Sequence, residues 1–203
     1  MKVAVVKYNA GNVRSVVNAL RRVGVEPCVT DDPAELRAAD RVIFPGQGEA
    51  SHTMSYLRRC GLDAVICSLT QPVLGICIGQ QLLCESSDEG GVACLGVFPG
   101  VGVHHFSAQW PGAPAKVPHI GWNTVESLDS PLFEGIADGD YVYFIHSYCV
   151  PLSPFTIATT EYGGVRFSSA MRRGNFYATQ FHPEKSGSVG ERLLSNFIHS
   201  CHD

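Results

Sequence analysis

The apolar positions of this chain change period along its length, and that change predicts its elements. Residues 2–6, with VAVV at their centre, make the short continuous apolar run of a parallel strand buried on both faces. Val13, Val16, Val17, Leu20 and Val23 then recur at helical spacing and stop at Gly24, a good helix terminator. A second strand over residues 27–30, a helix start at Asp32-Pro33 and a third strand over residues 41–44 follow. A helical stretch then reaches Leu69, and a fourth apolar run covers residues 73–76. Strands alternating with helices predict an α/β fold: three layers, with an open, mostly parallel sheet flanked by helices.

After about residue 91 the texture changes. GVFPGVGVHHF, PHIGWNTV and YVYFIHSYCV are rich in glycine, proline and aromatic residues and read as antiparallel strands and loops in place of further βαβ units. Residues 165–171 and 175–181, joined by Arg172-Arg173-Gly174, predict a hairpin. The closing helix carries Val189, Leu193, Leu194, Phe197 and Ile198 on one face. With neither an internal repeat nor a low-complexity linker, residues 1–203 are expected to form a single domain with an antiparallel C-terminal portion.

Composition narrows the function classes. Apolar content of 45% and charged content of 17% exclude a disordered chain. A net charge of −4 argues against a nucleic-acid or anionic-membrane surface. The N-terminal apolar run is too short for a signal peptide and no apolar stretch is long enough to span a bilayer, so a cytoplasmic protein is expected. Eight cysteines lie at scattered spacings without a Cys-x-x-Cys pair, which fits neither a zinc knuckle nor a disulfide framework.

One cysteine stands apart. In PVLGICIGQQLL, residues 72–83, the fourth apolar run delivers Cys77 into a tight Gly75-Ile76-Cys77-Ile78-Gly79 turn, and Gln80 to Leu83 read as helical. This is the strand, turn and helix of a nucleophile elbow, with cysteine in place of serine. Glycines permit the close approach and strained dihedrals, and the unpaired first amides of a helix favour thiolate over thiol. Taken alone, Gly-x-Cys-x-Gly also fits a small buried cysteine at a strand end.

Cysteine chemistry needs a base, a group to orient the base, and donors for a developing oxyanion. ATQFHPEKS, residues 178–186, offers the first two: His182 and Glu184 are two apart and project to one side of an extended segment. The carboxylate can then hold the imidazole tautomer and stabilise its protonated form. FPGQGEA, residues 44–50, places Gly46, Gln47 and Gly48 at the carboxyl end of the third strand, where open α/β sheets bind ligands; it also fits an ordinary glycine turn. His119 and His146 are either site or interface residues or hydrogen-bonded structural histidines. No metal or cofactor is expected.

Together, PGQG, GICIGQQ and, about a hundred residues on, FHPE resemble the class I, triad-type glutamine amidotransferases. YNAGNVRSV, PHIGWN, FIHSY and QFHPEKS extend the resemblance over essentially the whole chain, and are most similar to the glutaminase subunits of imidazole glycerol phosphate synthases. The resemblance implies a flavodoxin-like sheet and a Cys77, His182, Glu184 triad that hydrolyses L-glutamine through a thioester. It implies oxyanion donors at Gln47 and Gly48, and substrate contacts from Gln81, Ser147, Tyr148 and Glu89. It also implies a heterodimer with a cyclase subunit, a (β/α)8 barrel that receives ammonia for histidine biosynthesis, with Asn12, His119, Trp122 and Lys185 near that interface. The length suits a free-standing subunit without a synthase domain.

One residue departs from the pattern: Gln47 stands where the family commonly carries valine, and a glutamine there can alter the peptide flip that switches the family on. Other glutaminases of the class, serving anthranilate, aminodeoxychorismate or pyridoxal phosphate synthesis, are the alternative within enzymes. A non-catalytic binding module or a cysteine-based redox sensor on the same scaffold is the alternative outside them, and the intact triad opposes both.

Overall fold

The computed structural model describes residues 1–8, 13–106 and 116–201. Its first half alternates as the apolar pattern requires: β1 (Val3–Val6), α1 (Val13–Arg22), β2 (Cys28–Thr30), α2 (Pro33–Arg37), β3 (Arg41–Phe44), α3 (Ala50–Arg59), α4 (Leu62–Cys67), β4 (Val73–Ile76) and α5 (Ile78–Leu83). The second half is mostly strands: β5 (Cys84–Ser87), β6 (Val92–Ala93), β7 (Phe98–His105), β8 (His119–Thr124), β9 (Tyr141–His146), β10 (Tyr148–Cys149), β11 (Thr156–Tyr162), β12 (Val165–Arg173) and β13 (Phe176–Thr179), closed by α6 (Gly187–His199).

Seven strands form the central sheet in the order β11-β12-β13-β4-β3-β1-β2. Those from β2 to β13 run parallel, and β12 and β11 complete the sheet antiparallel. A four-stranded sheet, β10-β7-β5-β6, and a two-stranded ribbon, β8-β9, make up the remainder.

Both faces of the central sheet are covered, which is why its strands read as continuous apolar runs. Val3 and Val5 enter one core while Ala4 and Val6 enter the other. The first core is closed by Val16 and Leu20 of α1 and by Leu193, Leu194 and Phe197 of α6. Met54 and Leu57 of α3, Leu62 and Ile66 of α4, and Leu82 and Leu83 of α5 close the second. No helix among the described residues is long and apolar enough to cross a membrane.

Two local expectations are adjusted. The helical stretch through Leu69 divides in two at Gly61, whose φ of 68° is left-handed and ends the hydrogen-bond ladder of α3. The hairpin pairs further than its apolar pattern indicated, since Arg172 and Arg173 lie opposite Tyr177 and Phe176 and leave Gly174-Asn175 as the turn. Asp32 caps α2 as its position suggested, accepting from the Ala34 amide at 2.7 Å.

The ribbon is tied from beneath by a buried histidine pair. His119 Nδ1 lies 3.0 Å from His146 Nε2, and His146 Nδ1 lies 2.7 Å from the Tyr148 carbonyl. A carbonyl only accepts, so His146 carries its proton on Nδ1 and accepts from His119 at Nε2; both rings are neutral. Burial lowers His119 to about 4. Burial, with the charges of His119 and His182, lowers His146 to about 3 against the Tyr148 hydrogen bond.

Two stability measurements follow from this packing. A Cβ on Gly79 would sit 2.5 Å from the Phe44 carbonyl oxygen, where α5 starts against the end of β3. Gly79→Ala should therefore destabilise the protein by about 1–3 kcal/mol in urea unfolding; an unchanged midpoint would contradict this packing. The histidine pair titrates lower folded than unfolded, so its contribution is complete above the ordinary histidine pKa of 6.5 and is lost as pH falls toward about 4. Unfolding free energy measured across that range should fall with pH, and the slope should flatten in His119→Phe.

Candidate active site

The nucleophile elbow is built by β4 and α5. Cys77 has φ 51° and ψ −106°, a positive φ rarely adopted by a residue bearing a Cβ, at a cost of about 1–3 kcal/mol. The surroundings hold it there: the Cys77 amide donates to the Thr179 carbonyl at 2.7 Å, and its carbonyl accepts from Gln81 at 3.2 Å to close the first helical turn. The helix begins at Ile78, two residues earlier than its side-chain pattern showed, so its unpaired amides adjoin Cys77.

His182 follows β13, which pairs in parallel with β4 and puts Thr179 opposite Ile76. Three residues further, His182 Nδ1 lies 2.7 Å from Glu184 Oε1, and both side chains are almost wholly buried. The segment is extended at His182 but turns into a short 3-10 helix over Pro183–Lys185, so the pair meets through that turn and not through simple strand alternation. The ribbon holds the turn. The His182 amide donates to the Tyr143 carbonyl at 2.9 Å, and Ser186 Oγ donates to the His182 carbonyl at 2.7 Å while accepting from the Tyr143 amide at 2.9 Å.

Burial works against a charged His182, but Cys77 and Glu184 outweigh it and raise the imidazole to about 10. The buried Nε2 has no hydrogen-bond partner among the described residues. With Nδ1 given to the carboxylate, this nitrogen is left to exchange a proton with a reacting group.

Residues 44–50 form the wall opposite. A Cβ on Gly46 would lie 2.0 Å from the Ile76 carbonyl oxygen, so the loop packs directly on the strand that delivers Cys77. Tyr8 Oη donates to the Pro45 carbonyl and accepts from the Gln47 amide at 3.4 Å. In this conformation the Gln47 N–H is therefore taken by Tyr8. Glu49 caps α3 by accepting from the Ser51 and His52 amides.

A cleft of about 220 Å³ collects these elements. Its walls include Gly46, Gln47, Gly48, Cys77, His182, Gln81, Glu89, Ser147, Tyr148 and Lys185. Glu184 stands behind His182, away from the opening. Glu89 accepts from the Ala50 amide at 2.8 Å, and burial, opposed by that hydrogen bond and helped by the nearby Glu49 charge, raises its carboxyl. Trp122 is 54% exposed on the ribbon, whereas His119 is 2% exposed and can support a surface only from below. Asn12 lies outside the described residues.

Two residues at the site were not singled out from sequence. Gln180 Nε2 lies 3.6 Å from Cys77 Sγ; the available signal was its place two residues before His182, on the same side of an extended segment. Tyr8 opens the YNAGNVRSV segment, but its contact with the 44–50 loop was not legible there, because it depends on β1 and β3 being neighbours in the sheet.

The Glutamine amidotransferase class-I family model matches residues 4–201. The imidazole glycerol phosphate synthase subunit HisH of Bacteroides fragilis is 56% identical over 199 residues, covering 98% of this chain and 99% of that protein. Its counterpart of the same name in Colwellia psychrerythraea is 40% identical over 213 residues, covering 97% and 92%. Among solved structures, a glutamine amidotransferase superposes with a TM-score of 0.72 at 21% identity, covering 96% of each chain. PurLQS from Thermotoga maritima superposes with a TM-score of 0.71 at 17% identity, covering 98% of each. Those two likenesses speak to the fold alone. Given the family match over nearly the whole chain, and relatives of that family at this identity and coverage, the chain belongs to the class-I glutamine amidotransferases.

Proposed function

We propose that this chain is the glutaminase subunit of an imidazole glycerol phosphate synthase, one amidotransferase domain over residues 1–203. It hydrolyses L-glutamine and passes ammonia to a cyclase subunit. The observation that carries the chemistry is His182, held by Glu184 at 2.7 Å on one nitrogen and unpaired on the other, in the cleft that also holds Cys77. The name borne by relatives 56% identical over nearly the full chain supports the pathway.

Cys77 Sγ attacks the carboxamide carbon of glutamine to give a tetrahedral oxyanion. His182 then protonates the leaving nitrogen; the C–N bond breaks, ammonia departs, and a γ-glutamyl thioester remains. His182 next takes a proton from water, the resulting hydroxide attacks the thioester, and the C–S bond breaks to release glutamate and return the sulfur. Glu184 keeps the imidazole oriented and stabilises its charged form through both halves. The Gln47 and Gly48 amides receive the oxyanion, each donor contributing ~3 kcal/mol to barrier lowering. For this the Gln47 N–H must exchange Tyr8 Oη for substrate oxygen, which makes the resting chain a poor glutaminase. Gln81, Ser147, Tyr148 and Glu89 line the remaining cleft and hold the amino-acid end.

Ammonia released into neutral water would be protonated and lost, so the product needs a covered exit. Beside the cleft the ribbon presents Ile120, Trp122, Tyr141 and Ile145, each 40–59% exposed, and pairs Ile120 with Ile145 and Trp122 with Tyr143. An apolar face of this kind suits a permanent partner, here the (β/α)8 cyclase barrel. Lys185 lines the cleft and lies 5.9 Å from the Tyr143 ring centroid, joining the site to that face. The buried His119 supports that face from below. No nucleic acid or membrane is required, and the reaction suits the cytoplasm.

Glutamate release should be slow for the purified chain and strongly stimulated when a cyclase subunit and its nucleotide substrate are added together. Activity indifferent to the cyclase would move the protein to another amidotransferase. Cys77→Ala should abolish release while still binding the cyclase; retained activity would refute the mechanism. In titration calorimetry, Trp122→Ala should weaken cyclase binding roughly tenfold or more, whereas an unchanged affinity would remove the ribbon from the interface.

A further inference from the structure

A buried chain of side-chain amides ends on the nucleophile. Gln81 Nε2 lies 3.0 Å from the Tyr148 carbonyl oxygen and 2.9 Å from Gln180 Oε1. Gln180 Nε2 in turn lies 3.6 Å from Cys77 Sγ. Gln180 is fully buried and its backbone is pinned, the amide donating to the Ser169 carbonyl at 2.8 Å.

The direction of this chain is determined by its far end. The Tyr148 carbonyl can only accept, so the Gln81 atom facing it must be the NH2 nitrogen. That nitrogen's second hydrogen points at Gln180, whose facing atom must be the oxygen. The Gln180 atom left facing Cys77 is therefore its NH2. A donor with no acceptor capacity, held in a dry site, favours sulfur as an acceptor.

A second group on the sulfur pulls the other way. Cys77 Sγ lies 3.8 Å from the Ile145 carbonyl, which accepts only and so favours the protonated thiol. These two contacts compete over the protonation of one atom, and the Gln180 contact is the shorter. The His182 imidazolium, stabilised chiefly by its interaction with Cys77, also faces the sulfur and favours the thiolate.

We infer that Gln180 is a catalytic residue: its side-chain amide, oriented by Gln81 and the Tyr148 carbonyl, donates to Cys77 Sγ and, beside the His182 imidazolium, helps hold the sulfur in the attacking thiolate form. The inference rests on Cys77 being the nucleophile. It adds a role for the residue just beyond β13, and it links the sulfur to Gln81 and Tyr148, which line the cleft. Substrate contact with Gln81 would thus be felt at the nucleophile.

The test is the pH dependence of Cys77 alkylation by iodoacetamide in the full chain, with modification read at the Cys77 peptide by mass spectrometry because Cys60 and Cys67 are more exposed than Cys77, which lines the cleft. This readout needs neither glutamine nor a cyclase. Gln180→Leu removes the donor, and Gln180→Glu keeps the shape while presenting only acceptors when ionised. In the Leu variant, alkylation at neutral pH should fall roughly tenfold, the size of one lost hydrogen bond to a charged group, with its midpoint moved to higher pH. The Glu variant should fall further in the same direction. For glutamate release in the stimulated complex, kcat should drop while KM for glutamine changes little. Parental alkylation profiles in both variants would overturn the inference, as would a raised KM with unchanged kcat. Failure of the underlying reading looks different: Cys77→Ala would retain glutamate release.

Discussion

Parallel pairing of β13 with β4 is the constraint on which the site depends. It sets Thr179 opposite Ile76 and gives the Cys77 amide a carbonyl partner at 2.7 Å. The same backbone hydrogen bond that helps hold Cys77 in its strained conformation anchors the strand end from which Gln180 and His182 project. Cys77, Gln180 and His182 are therefore positioned by one strand register, and a slip of one residue would turn each to the opposite face. Both strands are covered by apolar cores on either side, so the register is strongly specified.

Around that pair the chain places its polar groups where water is largely excluded. His182 and Glu184 are nearly inaccessible, and the interaction with Cys77, followed by the hydrogen bond to Glu184, keeps the imidazole protonated well above its ordinary range despite burial. Beneath the ribbon, His146 experiences the opposite balance, because its partners are a carbonyl and another neutral imidazole, so burial prevails and it stays uncharged. The cleft is thus edged by two buried histidines with opposite protonation, separated by whether anionic groups, Cys77 first and then Glu184, stand beside the ring.

The ribbon serves both sides of the site. Tyr143 holds the backbone of the base, through its carbonyl to His182 and its amide to Ser186. Its neighbours Ile120, Trp122 and Ile145 leave an apolar face open. A partner seated there would press on the element that positions His182, a short physical route from partner binding to chemistry. On the opposite wall, Tyr8 holds the Gln47 amide.

The alternation of strands and helices, the elbow, the pairing of His182 with Glu184 and the glycine loop at 46–48 were legible in the sequence. Each is a local matter of side-chain period, turn chemistry and residue type. Even there local logic was incomplete, for the histidine and carboxylate meet through a 3-10 turn that strand alternation does not contain. The tertiary structure alone decided that Tyr8 engages Gln47, that His119 is buried against His146, and that Gln180 points its amide nitrogen at the sulfur. These contacts join residues between 27 and 103 positions apart. They exist only once sheet order and register have brought separate strands side by side, and no local pattern of apolar and polar residues encodes that neighbourhood.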